Sequence, residues 1–263
     1  MIPRMTDAHG TGTAPSHNEP IPSPAETVAW PFALLTLAGG AALVAASQAL
    51  WAEAPAAARA LPLGAYALAS AAIGAGLLQG YPHRRLGACN MVTHARATLV
   101  ALLLAPLAAP WLLDDPARGW AAFALAALAL ALDGVDGWLA RRSRLASRFG
   151  ARFDVEVDAG LALLLALLAW RGGQAGAWVL LLGLPRYAFV GAGRLAPWLR
   201  APLPERWSRK AVCALQIGAL VVLLAPPAGP PWTGLLAGAA LAPLLWSFAV
   251  DVLWLWRRRR GPA

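Results

Sequence analysis

The sequence predicts an all-α integral membrane protein with about eight transmembrane helices, a six-helix core preceded by two additional N-terminal helices. Three observations predict it. Of 263 residues, 59% are hydrophobic and only 13% charged, against roughly 25% charged in an average soluble domain. The mean hydropathy is +0.56. The apolar residues gather into stretches of the roughly 20 residues that a membrane-crossing helix requires. A soluble globule, a disordered chain and a disulfide scaffold are excluded by the same composition. Cys89 and Cys213 lack a CxxC partner and are expected as reduced thiols.

Eight stretches fit membrane spans: 29–50, 62–80, 93–113, 117–140, 153–171, 177–196, 211–226 and 232–256. All should be helical, because isolated strands leave backbone groups unsatisfied in lipid. Residues 1–28 are polar and rich in Pro, Ser and Thr, and are expected to be a disordered cytosolic tail. They lack the basic leader and compact apolar core of a signal peptide. Residues 29–80 hold the two additional helices, expected to anchor and pack, residues 81–256 the six-helix core, and residues 257–263 a basic cytosolic tail.

Orientation follows from the basic residues. One set of connections and termini carries 18 of them, including Arg96, Arg141, Arg142, Arg206, Arg209, Lys210 and the Arg257–Arg260 run. The opposite set carries only Arg59, Arg118 and Arg171. Both termini are therefore expected in the cytosol, which an even number of spans satisfies, with the plasma (inner) membrane as the location. The net charge of +9 then reflects arginine held beside anionic lipid, and no nucleic-acid partner is expected. Tryptophans near span ends, Trp30, Trp51, Trp120 and Trp254 among them, are expected as interfacial aromatics.

Carboxylates in membrane spans are costly and usually functional. Of 13 acidic residues, five fall between positions 133 and 158: Asp133, Asp136, Asp154, Glu156 and Asp158. Asp133 and Asp136 share one helix face and Asp154 and Asp158 another, while Glu156 points elsewhere. Two antiparallel helices joined by the short basic loop can bring the two faces together. Four converging carboxylates need a counter-charge. All-oxygen ligands select a hard divalent cation, Mg²⁺ or Mn²⁺. Two such ions about 3.5–4 Å apart are a recurrent arrangement for displacement at phosphorus. Gly134 and Gly137 bare one side of the first helix so that a phosphate ester can approach, although Gly134 suits close helix packing equally. Arg141, one turn beyond Gly137, is placed to clamp a phosphate.

Residues 133–158 read DGVDGWLARRSRLASRFGARFDVEVD, which satisfies D-x2-D-G-x2-A-R-x8-G-x3-D-x3-D at every fixed position. This pattern resembles the signature of the CDP-alcohol phosphotransferase family, integral membrane enzymes of phospholipid synthesis. Asn90, Thr93 and Arg96 resemble the N-x2-T-x2-R that opens the family's first core helix. The resemblance covers about 175 residues and six spans, and excludes the first two spans.

The resemblance implies transfer of a phosphatidyl or other phospho-alcohol group from a CDP-linked donor, here CDP-diacylglycerol, to an acceptor alcohol with release of CMP. It implies Asp133, Asp136, Asp154 and Asp158 as ligands of two Mg²⁺ or Mn²⁺ ions. Asp158 would double as the general base. Asn90, Thr93, Gly137, Arg141 and Ser147 would contact the CDP portion, and a homodimer is implied. Arg186 inside a span beside Pro185, expected to kink that helix, and Lys210 with Gln216 resemble the branch that uses glycerol 3-phosphate as acceptor. Snorkelling residues are the other reading of that pair. His83 and His94 are expected as hydrogen-bonding residues, and Asp251 as the partner of a cation on another helix. The rival class is a divalent-cation or ion-coupled transporter using the same carboxylates.

Overall fold

Residues 24–143 and 147–259 are described by a computed structural model of the chain. They are 83% helical and contain no strand. The helices, in chain order, are α1 (Pro24–Leu50), α2 (Ala56–Gly80), α3 (Ala88–Leu102), α4 (Leu104–Ala108), α5 (Pro116–Ser143), α6 (Arg148–Arg171), α7 (Pro185–Leu195), α8 (Trp207–Leu223) and α9 (Trp232–Arg258). Short 3-10 segments occupy Pro110–Asp114, Ala177–Leu182 and Pro197–Arg200.

Local chemistry sets the helix starts. The Asp115 carboxylate accepts from the Ala117 backbone N–H at 3.0 Å, and Pro116 opens α5 where its missing N–H is harmless. The Ser147 hydroxyl accepts from the Gly150 N–H at 3.0 Å and caps α6.

Five helices among the described residues are long and apolar enough to cross a membrane: Glu26–Leu50, Ala56–Gln79, Ala88–Ala108, Pro116–Leu139 and Trp232–Arg258. The chain is thus an integral membrane protein. Three expected spans look different. The stretch 177–196 is broken into a 3-10 segment and α7, and Pro185 opens α7 rather than kinking a continuous helix. Residues 153–171 lie in α6, whose N-terminal half is rich in charge. Residues 211–226 lie in α8, which is 17 residues long and begins earlier, at Trp207.

The core forms around α6, whose Leu161, Leu165 and Leu168 are buried against Leu112, Leu182, Leu220 and Leu244. Ala122, Ala126 and Ala129 of α5 are wholly buried. Small side chains at that spacing line one face of a helix and let neighbouring backbones approach. A Cβ on Gly183 would lie 2.5 Å from the Leu163 Cα and 3.1 Å from the Ala162 carbonyl, so the 3-10 segment rests directly on the α6 backbone.

The additional pair α1–α2 is fastened to α3 rather than standing apart. Trp51, expected at the interface, is fully buried, and its Nε1 donates to the Leu102 carbonyl at the end of α3 at 3.1 Å. Midway, the Tyr66 hydroxyl of α2 lies 2.8 Å from the His94 Nε2 of α3 and 2.8 Å from the Thr36 carbonyl of α1. A third fastening, at Tyr81, lies beside the carboxylates.

Candidate active site

α5 delivers Asp133, and α6 delivers Asp154 and Asp158, to one end of the bundle. Their carboxylate oxygens lie within 4.8 Å of one another. The expected convergence of the two helix faces is therefore observed for three of the four aspartates. The side chains of Asp136 and Arg141 lie outside the described residues. Glu156 points away, as its position on α6 requires, and meets Arg186 Nη2 at 2.6 Å.

At the centre of the three carboxylates sits Arg96, whose side chain is wholly buried. Nη1 is 2.5 Å from Asp154 Oδ1 and 3.1 Å from Asp133 Oδ1. Nη2 donates to Asp158 Oδ1, and Nε donates to the Ala129 carbonyl at 3.0 Å. A guanidinium is suited to this position because its donors are spread in a rigid plane. Sequence reading counts Arg96 among the arginines that set topology. Its spacing of three residues from Thr93 and six from Asn90 is the available signal for a site role, but carboxylates 37 and more residues away in sequence reveal nothing about the pairing.

One guanidinium offsets one of the three negative charges. The remaining carboxylate charge, presented by oxygen alone, fits a hard divalent cation. Among the described residues, Asp133, Asp154 and Asp158 are the ones that could hold it.

Beside the carboxylates, Asn90 of α3 is buried and donates through Nδ2 to the Tyr81 hydroxyl at 2.9 Å. Its Oδ1 would lie 2.8 Å from a Cβ placed on Gly150, and the Ser147 hydroxyl 3.3 Å from the same point. The N-terminus of α6 therefore packs closely on Asn90 of α3 at a position that carries no side chain. Thr93, also buried, donates to the Cys89 carbonyl at 3.0 Å. Asn90, Ser147 and Gly150 thus form one wall. A Cβ on Gly134 would meet nothing within 4 Å among the described residues.

Arg186 is engaged by Glu156, and the exposed Lys210 ammonium lies 5.7 Å from the centre of the Trp207 ring. Asp251, as expected, pairs with cations of another segment: Arg206 Nη1 at 3.1 Å and Arg209 Nε at 2.9 Å. His94 is buried against Phe32 and Tyr66, and His83 packs edge-on against Tyr81. Tyr81 was not legible as a site residue. Burial pushes its hydroxyl pKa up, which keeps the proton on the oxygen.

The helices and the convergent carboxylates define an integral membrane protein with a cluster that could hold a metal ion. A family model for CDP-alcohol phosphatidyltransferase matches residues 86–250, and the chain belongs to that family. The matched segment begins after α2, so α1, α2 and Tyr81 lie outside it. No curated protein and no solved structure matches the chain. Members of the family transfer a phosphatidyl group from a CDP-linked alcohol, and this is the class of enzyme to which the protein belongs.

Proposed function

We propose that the protein transfers the phosphatidyl group of CDP-diacylglycerol to the hydroxyl of glycerol 3-phosphate, releasing CMP, in phospholipid synthesis. The observation that carries the reading is the convergence of Asp133, Asp154 and Asp158 from α5 and α6 within the family segment. An ion-coupled carrier has no need of the polar wall of Asn90, Ser147 and Gly150 on the helices that bear Arg96 and Asp154.

In this reading the acceptor oxygen attacks the phosphorus that bears diacylglycerol. The bond from that phosphorus to the CMP oxygen breaks, and CMP leaves with the electron pair. Asp158 takes the proton of the attacking hydroxyl. A carboxylate is a weak base for an alcohol, so the proton moves late, as the new bond forms. Asp133, Asp136, Asp154 and Asp158 would hold two Mg²⁺ or Mn²⁺ ions, which when bound neutralise the diphosphate and polarise its P–O bonds. Arg141 holds the diphosphate, while Asn90, Thr93, Gly137 and Ser147 contact the nucleotide portion. Arg186 and Lys210 are the acceptor contacts, and Arg186 reaches the acceptor by leaving Glu156. Arg96 keeps the carboxylates gathered.

The arginine asymmetry supports a site and termini facing the cytosol at the plasma membrane, and the family supports a homodimer. Purified protein incubated with Mg²⁺ or Mn²⁺, CDP-diacylglycerol and a panel of alcohols should release CMP, with phosphatidylglycerol phosphate as the lipid identified by mass. Release with another alcohol only would reassign the acceptor, and divalent-cation flux without CMP would remove the transferase reading.

A further inference from the structure

We propose that the helix pair outside the family segment is a working part of the donor site, and that Tyr81 is the positioning residue that orients Asn90. This rests on the reading of Asn90 as a donor contact.

The hydrogen bonds of one phenol decide the geometry. The Tyr81 hydroxyl has a single proton, and it is directed at the Arg85 carbonyl, which has none to return, at 3.2 Å. The oxygen can then only accept from its other neighbours, the Gly87 N–H at 3.3 Å and Asn90 at 2.9 Å. Asn90 must therefore turn its NH₂ toward Tyr81. That turns Oδ1 the other way, onto Gly150 and toward the Ser147 hydroxyl. An amide has a donor edge and an acceptor edge of almost the same shape. Tyr81 determines which one the bound nucleotide meets.

Tyr81 itself is held firmly. It is buried with Val28 of α1 and with Ile73 and Leu77 of α2, against Phe149 and Phe153 of α6. Phe149 meets its ring edge-on at 6.3 Å. Phe153 immediately precedes the carboxylate of Asp154 in sequence. The same apolar cluster that seats Tyr81 thus also seats the helix that bears two of the aspartates. With Trp51 and Tyr66 fastening the pair to the far end and middle of α3, the additional helices set both the depth of α3 and the orientation of its first polar side chain.

The test is a double-mutant cycle on the full-length protein with steady-state CMP release. Tyr81→Phe keeps the ring and its packing and removes only the hydroxyl. KM for the CDP-linked donor should rise about three- to tenfold, the range for one neutral hydrogen bond, with kcat changed less than about twofold. In the Asn90→Ala background Tyr81→Phe should add nothing, because the group it orients is gone. Leu68→Ala, on the exposed face of α2, should leave KM unchanged. An unchanged donor KM in Tyr81→Phe, or effects of the two substitutions that simply multiply, overturns the proposal. So does a fall in kcat and thermal stability alone, which marks a purely structural tyrosine. Titration of CMP in the presence of Mg²⁺ separates the two readings. Wild-type protein that neither releases nor binds CMP overturns the donor site as well. Wild-type protein that binds CMP no more tightly than Tyr81→Phe does overturns the orienting role alone.

Discussion

Arg96 places its Nη1 2.5 Å from Asp154 Oδ1, and the same nitrogen is 3.1 Å from Asp133 Oδ1. A single buried cation therefore ties α3 to both carboxylate-bearing helices. Removing the cation leaves three like charges that are each about a third exposed, so solvent moderates the loss to about 1–3 kcal/mol. Arg96→Met should reduce thermal stability on that scale and abolish CMP release. Added Mg²⁺ should raise the melting temperature of Arg96→Met more than that of wild type, because a ligand specific to the folded state stabilises by mass action. Arg96→Lys should recover little, since one ammonium cannot match the planar spread of contacts. Wild-type melting and turnover in Arg96→Met, checked by fluorescence melting and CMP assay, would show that the cluster does not depend on this residue.

Asp133→Asn and Asp158→Asn should fail in different ways. In the proposed reading Asp158 is the general base, worth about 100- to 10,000-fold in kcat, and its replacement should cost more in kcat than in CMP binding. Asp133→Asn should weaken binding of Mg²⁺ and with it retention of CMP. Calorimetric titration of CMP with and without Mg²⁺ in both variants distinguishes them. Equal loss of CMP binding in the two would remove the separate base role.

Gly150→Ala should damage the donor wall. A methyl group there would stand 2.8 Å from Asn90 Oδ1 and 3.3 Å from the Ser147 hydroxyl, so Asn90 or α6 must shift. Displacements near 1 Å at a positioning group can lower rates about 100-fold. A fall in kcat/KM for the donor of tenfold or more is expected, measured by CMP release, with expression and melting close to wild type.

Asp251 is nearly buried in α9 and receives Arg206 and Arg209 from the segment entering α8. Asp251→Ala should strand two partly buried arginines. Because both remain about a third exposed, solvent moderates the loss, and a destabilisation of about 1–3 kcal/mol is expected in thermal melting. Donor KM should change less than melting, because the pair ties α8 to α9.

Gly183→Ala tests the packing under the site. The added methyl would meet the backbone of Leu163 and Ala162, neither of which can rotate aside. Overpacking of this kind typically destabilises by about 1–3 kcal/mol, readable as a lowered melting temperature.

The carboxylate site was legible because its ligands are neighbours in sequence. Asp133, Asp154 and Asp158 lie within 26 residues on two helices joined by a short loop, so helical periodicity and one turn suffice to bring them together. Arg96 was hidden by its type. In a chain with 22 basic residues an arginine near a helix end first reads as a topology signal, and only packing shows this one facing inward. Trp51 was misleading for a related reason: tryptophan is enriched at membrane interfaces, yet its indole N–H is equally able to fasten two helices inside.

Composition and periodicity alone determined that the chain is helical and membrane-bound, because lipid leaves the backbone no other partner than its own carbonyls. The spacing of the aspartates likewise determined which helices carry the chemistry. Tertiary structure decided what neutralises and orients that chemistry: Arg96 among the carboxylates, and Tyr81 against Asn90. Such contacts depend on the depth and rotation of one helix against another. Those are set by the summed packing of many small apolar side chains, which no local pattern in the sequence encodes.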